Sequence, residues 1–336
     1  MSDRRRVRRT ALLVSGGCLA SAILLALLLR AFPIDGASYR ETLAQGRWIG
    51  LAGILATTVF HCWVTGVKWR YVTRLTSRGT DLGAGYYFYS ALIGLLGQVL
   101  PLQVAMLAGR GLALRFHGKV PLRRGAAAVL YDQFFDVLVP LTMVVPILLA
   151  AANVISQEAG GWLCFTAVGL VGALLAILGA QAIQVLLRPL LLLPRDWKLS
   201  GLARSLQEGT SLTERQTLVT LYTLSSLRVA NLVFRAWLVG WTLHLDLSWM
   251  VILFAHCGVT FSLIFAFLPG ALGVVEWGWV GMLHLFGVDT VDATHYALSS
   301  RLFALAALVA INLVHAIALM AYWGLRGLRR RRDNTP

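Results

Sequence analysis

The sequence predicts an all-α integral membrane protein: about six full transmembrane helices and two re-entrant broken hairpins, arranged as an inverted repeat. Three observations lead there. The 336 residues are 58% hydrophobic and only 13% charged, with a mean hydropathy of +0.72, a composition foreign to soluble domains. The lysines and arginines gather in short clusters between apolar segments, as cytoplasmic loops require. Two apolar segments are interrupted by proline and glycine at their centres, where an unbroken span would be expected.

The chain is taken in order. A basic N-terminus, residues 1–9, carries Arg4, Arg5, Arg6, Arg8 and Arg9 and reads as cytoplasmic. The apolar run that follows, 10–29, is long enough to cross and reads as an uncleaved anchor. A second span over 48–67 returns to the cluster Lys68, Arg70, Arg74 and Arg78, with Trp63 and Trp69 as an interfacial belt. Segment 86–105 contains Gly94, Gly97 and Pro101, and basic residues flank it on both sides, Arg110 and Arg115 beyond it. One crossing would place a basic loop outside, so the segment is expected to enter and return from the cytoplasm. A third span, 126–152, carries Asp132 and Asp136. Its outer loop holds Glu158 and no basic residue.

The second repeat covers 161–323. A fourth span, 162–187, leads to a basic loop, within which 199–212 reads as a short interfacial helix. A fifth span over 217–243 contains Arg228, Asn231 and Arg235. Segment 249–286 breaks at Pro269-Gly270 and is flanked by His244, Asp246, Asp289 and Asp292, so it is expected to re-enter from outside. The last span, 297–323, ends in the basic tail 324–336. Both termini are then cytoplasmic, in a bacterial-type plasma (inner) membrane. The halves run span, span, broken hairpin, span, in opposite orientations, and their breaks align as VLPLQVA around Pro101 and FLPGALG around Pro269.

Charge excludes less than its size suggests. The net charge of +15 belongs to topology rather than to nucleic acid, since the basic residues sit beside spans. Cys18, Cys62, Cys164 and Cys257 lie inside apolar segments without metal or redox spacing and read as packing residues. His61, His256, His284 and His315 lack ligand spacing and read as hydrogen-bonded packing residues. No Walker loop, Ser-His-Asp pattern or metal motif is found, so no catalytic residue, metal or cofactor is expected.

The candidate site is built from ionisable residues in apolar sequence, because such groups are costly in a bilayer and mark ligand pathways. Asp132 and Asp136 are four apart and share a helix face, about 6 Å from one another. Glu276 follows the second break, with Gly273 between them. One reading is a polar groove in which Arg301 meets phosphate while Asp136 and Glu276 meet an amine or a counter-arginine. The other is that these ions pair among themselves and tie helices together. The candidate head-group residues are Glu276, Arg301, Asp136, Asp132, Arg110, Arg228 and Arg235. The candidate hinge residues are Pro101, Pro269, Gly270 and Gly273.

At the two breaks the chain resembles the flippase-like membrane region of lysylphosphatidylglycerol synthases, which also occurs as stand-alone proteins. LPGALGVVEWGW from Leu268 is similar to that family's LPGG-x-G-x-x-E pattern through Pro269, Gly270, Gly273 and Glu276. SSRLFALAALVA from Ser299 resembles its following helix, with Arg301 at the arginine. QVLPLQVAMLAGRGLAL and AVLYDQFFDVLVP resemble its first motif more loosely. Departures are Ala105-Met106 for the usual Gly-Glu, Asp132-Gln133 for Glu-Arg, and Val275 for an arginine, while Asp136 is kept. The resemblance implies movement of a lipid or lipid-linked head group between leaflets. The partners it implies are membrane lipids with an anionic or lipid-linked head group. A second copy of the chain or a lipid-modifying enzyme is the protein partner that fits. A membrane-embedded enzyme or an accessory subunit in lipid or glycolipid modification is the alternative class.

Overall fold

The computed structural model describes residues 30, 40, 44–45, 47–76, 81–98, 102–118, 120, 122–182, 214–264, 271 and 273–333. Outside these lie the first expected span over 10–29, with Cys18, the interfacial helix expected over 199–212, and the hinge residues Pro101, Pro269 and Gly270. The described elements are helical throughout: α1 (Trp48–Thr76), α2 (Gly85–Leu96), α3 (Leu102–Gly118), α4 (Leu122–Ala151), α5 (Gln157–Leu178), α6 (Arg215–Thr242), α7 (Trp249–Ile264), α8 (Val274–Leu285) and α9 (Thr290–Asp333).

Among the described residues, five helices are long and apolar enough to cross a membrane: α1, α4, α5, α6 and α9. They correspond to the spans expected from 48, 126, 162, 217 and 297 onward, and the protein is a multi-pass membrane protein. Several threonine hydroxyls within them bond to their own helix. Thr57 and Thr58 donate to carbonyls of Gly53 and Ile54 at 2.9 and 2.7 Å, and Thr73 donates to Trp69 at 2.9 Å. That satisfies each hydroxyl without water. Helix starts are set by local acceptors. Ser156 accepts from the Ala159 amide at 3.2 Å, and Asp289 from the Val291 amide at 2.8 Å, ahead of α5 and α9. Pro140 and Pro146 lie inside α4.

The remaining helices come as two short pairs. α2 has 12 residues and α8 has 12, about 18 Å each at 1.5 Å per residue, against a hydrocarbon core of about 30 Å. α3 and α7, at 17 and 16 residues, are their partners: α2 packs on α3, and α7 on α8. The expected segment 86–105 therefore ends later than its apolar run, because α3 continues through Arg110 to Gly118.

The principal neighbours follow a rule. α1 packs on α2, α4, α6 and α9, and α6 on α7, α9, α1 and α4. α3 lies against α2 and α4, and α8 against α7 and α9; α2 touches α9, and α7 touches α4. Exchanging α1, α2, α3 and α4 for α6, α7, α8 and α9 maps this set of neighbours onto itself. α5 packs on α4, α6 and α7.

The main core joins α1, α4, α5, α6, α7, α8 and α9 through residues such as Phe135, Leu218, Phe254, Cys257, Trp279 and Tyr296. Cys62, Cys164 and Cys257 are buried, as their packing role requires. A second cluster holds Trp69, Tyr86, Ile93, Leu114 and Val129. Trp69 corrects an expectation: it is fully buried rather than interfacial, with its ring edge-on to Tyr86 at 5.1 Å, while Trp63 stays exposed. The close α1–α2 crossing permits this, since a Cβ on Gly66 would lie 3.2 Å from the Tyr86 backbone.

Candidate functional site

Among the described residues, ionisable side chains meet within the bundle in two places. In the first, α1, α3, α4 and α6 converge on Asp132 and Asp136, one turn apart on α4. Lys68 of α1 reaches both: its Nζ donates to Asp136 Oδ1 at 2.6 Å and to the Asp132 carbonyl at 2.7 Å. It also lies 3.1 Å from Asp132 Oδ1. Arg110 of α3 pairs with Asp132 Oδ2, and Arg228 of α6 with Asp136 Oδ2. Ser225 donates to Asp136 Oδ1 at 3.0 Å. Lys68, Arg110 and Asp132 are at most 1% exposed, whereas Arg228 and Asp136 keep 18% and 15% of their side chains open. The cluster thus has a sealed end and an open end.

Lys68 and Arg110 depart from the expectation that both mark cytoplasmic loops. α1 runs nine residues past the end of the expected span, and Lys68 falls between Val64 and Val72 on its buried face. Arg110 lies mid-helix, its guanidinium 5.4 Å from the Trp69 ring centroid, a cation–π distance. Lys68 is the functional-site residue that the sequence reading missed. The available signal was its i, i+4 spacing with two valines and the need of two aspartates for more than one cation. Arg70 and Arg74, counted in the same cluster, behave as loop residues. Both are exposed and bind Asp81 at 2.5 and 2.7 Å. Hydrogen bonds from Arg70, then Arg74, hold the Asp81 carboxyl well below the usual carboxylate range.

The second place is the start of α8. Gly273 has φ +82°, a conformation that favours glycine. Its amide donates to Glu276 Oε2 at 2.7 Å, so the acid caps its own helix, where negative charge is favoured. Glu276 is fully buried. Arg301 of α9 donates to Glu276 Oε1 at 2.7 Å and, through its other nitrogen, to the Gln98 carbonyl at 3.0 Å. Gln98 lies two residues past the end of α2. One guanidinium therefore joins the neighbourhoods of both interrupted segments.

The two places occupy equivalent interfaces under the exchange of helices: α3 with α4 for Arg110–Asp132, α8 with α9 for Glu276–Arg301. The order of charge is reversed between them. Arg235, on α6, has no ion pair or hydrogen bond with a described residue and is half-buried. Among the histidines, the Nδ1 atoms of His61 and His315 are buried without a hydrogen-bond partner, unlike the satisfied packing residues expected. No group of three or more His, Cys, Asp or Glu that would hold a metal ion occurs among the described residues.

Compared with known proteins, residues 12–311 match the family described as the lysylphosphatidylglycerol synthase TM region. No curated protein matches the chain.

Proposed function

We propose a function from one premise: this chain belongs to the lysylphosphatidylglycerol synthase TM family. The reading is a flippase-like transporter that moves a phospholipid or lipid-linked head group between leaflets through a buried polar groove. It works in a bacterial-type inner membrane, with both termini cytoplasmic and no covalent chemistry. The observation that carries it is the Arg301 fork, which places one arm at each interrupted segment. Transporters of many folds build their substrate sites from paired discontinuous helices related by inverted repeats.

Other features support the same reading. The short helix pairs α2–α3 and α7–α8 suit re-entrant hairpins, since α2 and α8 are far shorter than the hydrocarbon core. The exchange of neighbours between α1–α4 and α6–α9 is what an inverted repeat produces, with 10–29 supplying the sixth span. Arg301, Asp136 and Arg228 are the residues we assign to head-group contact, and Glu276, fully buried, holds Arg301 in place for it. Lys68, Arg110 and Asp132 form the sealed end that holds the groove together.

The test is leaflet-resolved lipid exchange in reconstituted vesicles, comparing wild type with Glu276→Gln and Arg301→Ala. Wild type exchanges lipid and both variants lose most of the rate. Equal exchange in all three would remove the reading. Recovering the lipid and weighing it separates transport from the alternative, a membrane-embedded enzyme: a transported lipid keeps its mass.

A further inference from the structure

Cations outnumber carboxylates in the middle of this bundle. Asp132, Asp136 and Glu276 are already met by Lys68, Arg110, Arg228 and Arg301. Arg235 adds a positive charge seven residues beyond Arg228 on α6, two turns along the same face. It has no hydrogen-bond or ion-pair partner among the described residues. Around it lie Cys62 of α1, Tyr296 of α9 and Arg228, all within electrostatic reach. His61 of α1 and His256 of α7 stand in the field of the same two arginines.

Neither Asp136 nor Glu276 has a carboxylate oxygen left over for Arg235. Asp136 is taken by Lys68, Arg228 and Ser225. Glu276 is taken by Arg301 and the Gly273 amide, and the Tyr296 hydroxyl donates to the Ala236 carbonyl at 2.8 Å. Two polar atoms, by contrast, are left over: the Arg228 Nε donor, and His61 Nδ1, which donates in one tautomer, are buried with no hydrogen-bond partner. His61, Arg228, Arg235 and His256 all keep part of their surface open, so the group is accessible rather than sealed. Unpaired cations at membrane depth are costly and mark ligand paths. A guanidinium fork fits phosphate oxygens with paired, charge-assisted hydrogen bonds. A cationic head group in the same place meets the unpaired charge of Arg235, while the adjoining carboxylate, Asp136, is already shared by Lys68, Arg228 and Ser225.

We propose that Arg235, His61, His256 and the unpartnered Nε of Arg228 form a phosphate subsite, which makes the substrate a lipid with a net-anionic phosphodiester head group. The proposal rests on the transport reading for its setting and narrows its substrate class. A lysylated head group, whose amines outweigh its phosphate, is disfavoured.

The test measures binding first and transport second. Purified protein in a neutral detergent is titrated with phosphatidylglycerol, phosphatidylcholine, lysylphosphatidylglycerol and inorganic phosphate, reading tryptophan fluorescence and thermal stability. Phosphatidylglycerol is expected to bind at least tenfold more tightly than the other two lipids and than free phosphate. Arg235→Gln is expected to lose that preference, and Arg235→Lys to keep part of it. Should Arg235→Gln fail to fold, His61→Asn serves in its place, with a smaller loss confined to phosphatidylglycerol. Equal binding of all three lipids, or an unchanged preference in Arg235→Gln, overturns the proposal. Free phosphate binding as tightly as phosphatidylglycerol overturns the lipid source. Leaflet exchange is then run on the same preparations. Retained preference without exchange sinks the transport reading and leaves the subsite standing. Exchange without preference does the reverse.

Discussion

Arg301 and Glu276, 25 positions apart on α9 and α8, form an ion pair at 2.7 Å in which the carboxylate has no exposure and the guanidinium 17%. Such a pair is asymmetric. Removing the arginine strands a buried carboxylate, whereas removing both charges leaves only a packing defect. The penalty for the first is about 3–5 kcal/mol, and the second is often near neutral.

Arg301→Met is therefore expected to lower thermal stability in detergent more than Arg301→Met combined with Glu276→Gln. Both should be inactive in lipid exchange. A single variant as stable as the double would show that the pair is not desolvated as described.

Lys68 and Arg70 stand two residues apart and should differ sharply on removal. Lys68→Met leaves Asp132 and Asp136 short of a shared cation inside the bundle, which costs about 3–5 kcal/mol. Arg70→Met removes one exposed contact to Asp81, worth about 0–1 kcal/mol. Chemical or thermal unfolding of the two variants side by side checks the contrast. Similar losses would return Lys68 to the surface.

Gly273 holds φ +82° and offers its amide to Glu276. Gly273→Ala keeps the amide but strains the backbone, by about 1–3 kcal/mol. Lower stability together with slower lipid exchange is the expected result, measured by thermal shift and vesicle assay. A neutral substitution would mean that the start of α8 is free to rearrange.

Asp81 carries the pH dependence open to direct measurement. Its carboxyl is lowered in the folded protein by Arg70 and Arg74, so its contribution is present above the ordinary carboxylate pKa of about 3.9. That contribution fades only as pH falls through the lower folded value. Wild type and Asp81→Asn should differ in stability at pH 7 and still differ at pH 4. The two melting curves converge only in stronger acid. Convergence already at pH 5 would show that the clamp does not form.

Cysteines introduced singly along α2, α3, α7 and α8 test the hairpins. Positions at both ends of 85–118 should label from the cytoplasmic side, and both ends of 249–286 from the opposite side. Ends of one segment labelling from opposite sides would make it a full crossing.

What could be read from sequence divides along the range of the interactions. Helical spans, breaks and caps are local, set by apolar length, by Gly97 and Gly273, and by Ser156 or Asp289 just ahead of a helix. Those were legible. Lys68 pairs with a residue 64 positions away, and Arg301 with a carbonyl 203 positions away, and no local pattern encodes either partner. Charge counting alone assigned Lys68 and Arg110 to loops, since a lysine at the end of an apolar run looks the same whether its helix stops or continues. The helical phase of Val64, Lys68 and Val72 held the distinguishing information. Asp132, Asp136 and Glu276 stood out because acids in apolar sequence need company. Which cations kept them company was a tertiary fact.

Pro140 sits four residues after Asp136 within α4. A proline there has no amide to give back, so the main-chain oxygen of Asp136 loses its regular helical donor. The residue gripped by Lys68 and Arg228 is thus also one of two, with Thr142 ahead of Pro146, where α4 lacks a backbone hydrogen bond. Bending at that joint would swing the outer part of α4 while the anchored acid stayed put, so a helix that looks like scaffold has a point of give beside its ion cluster.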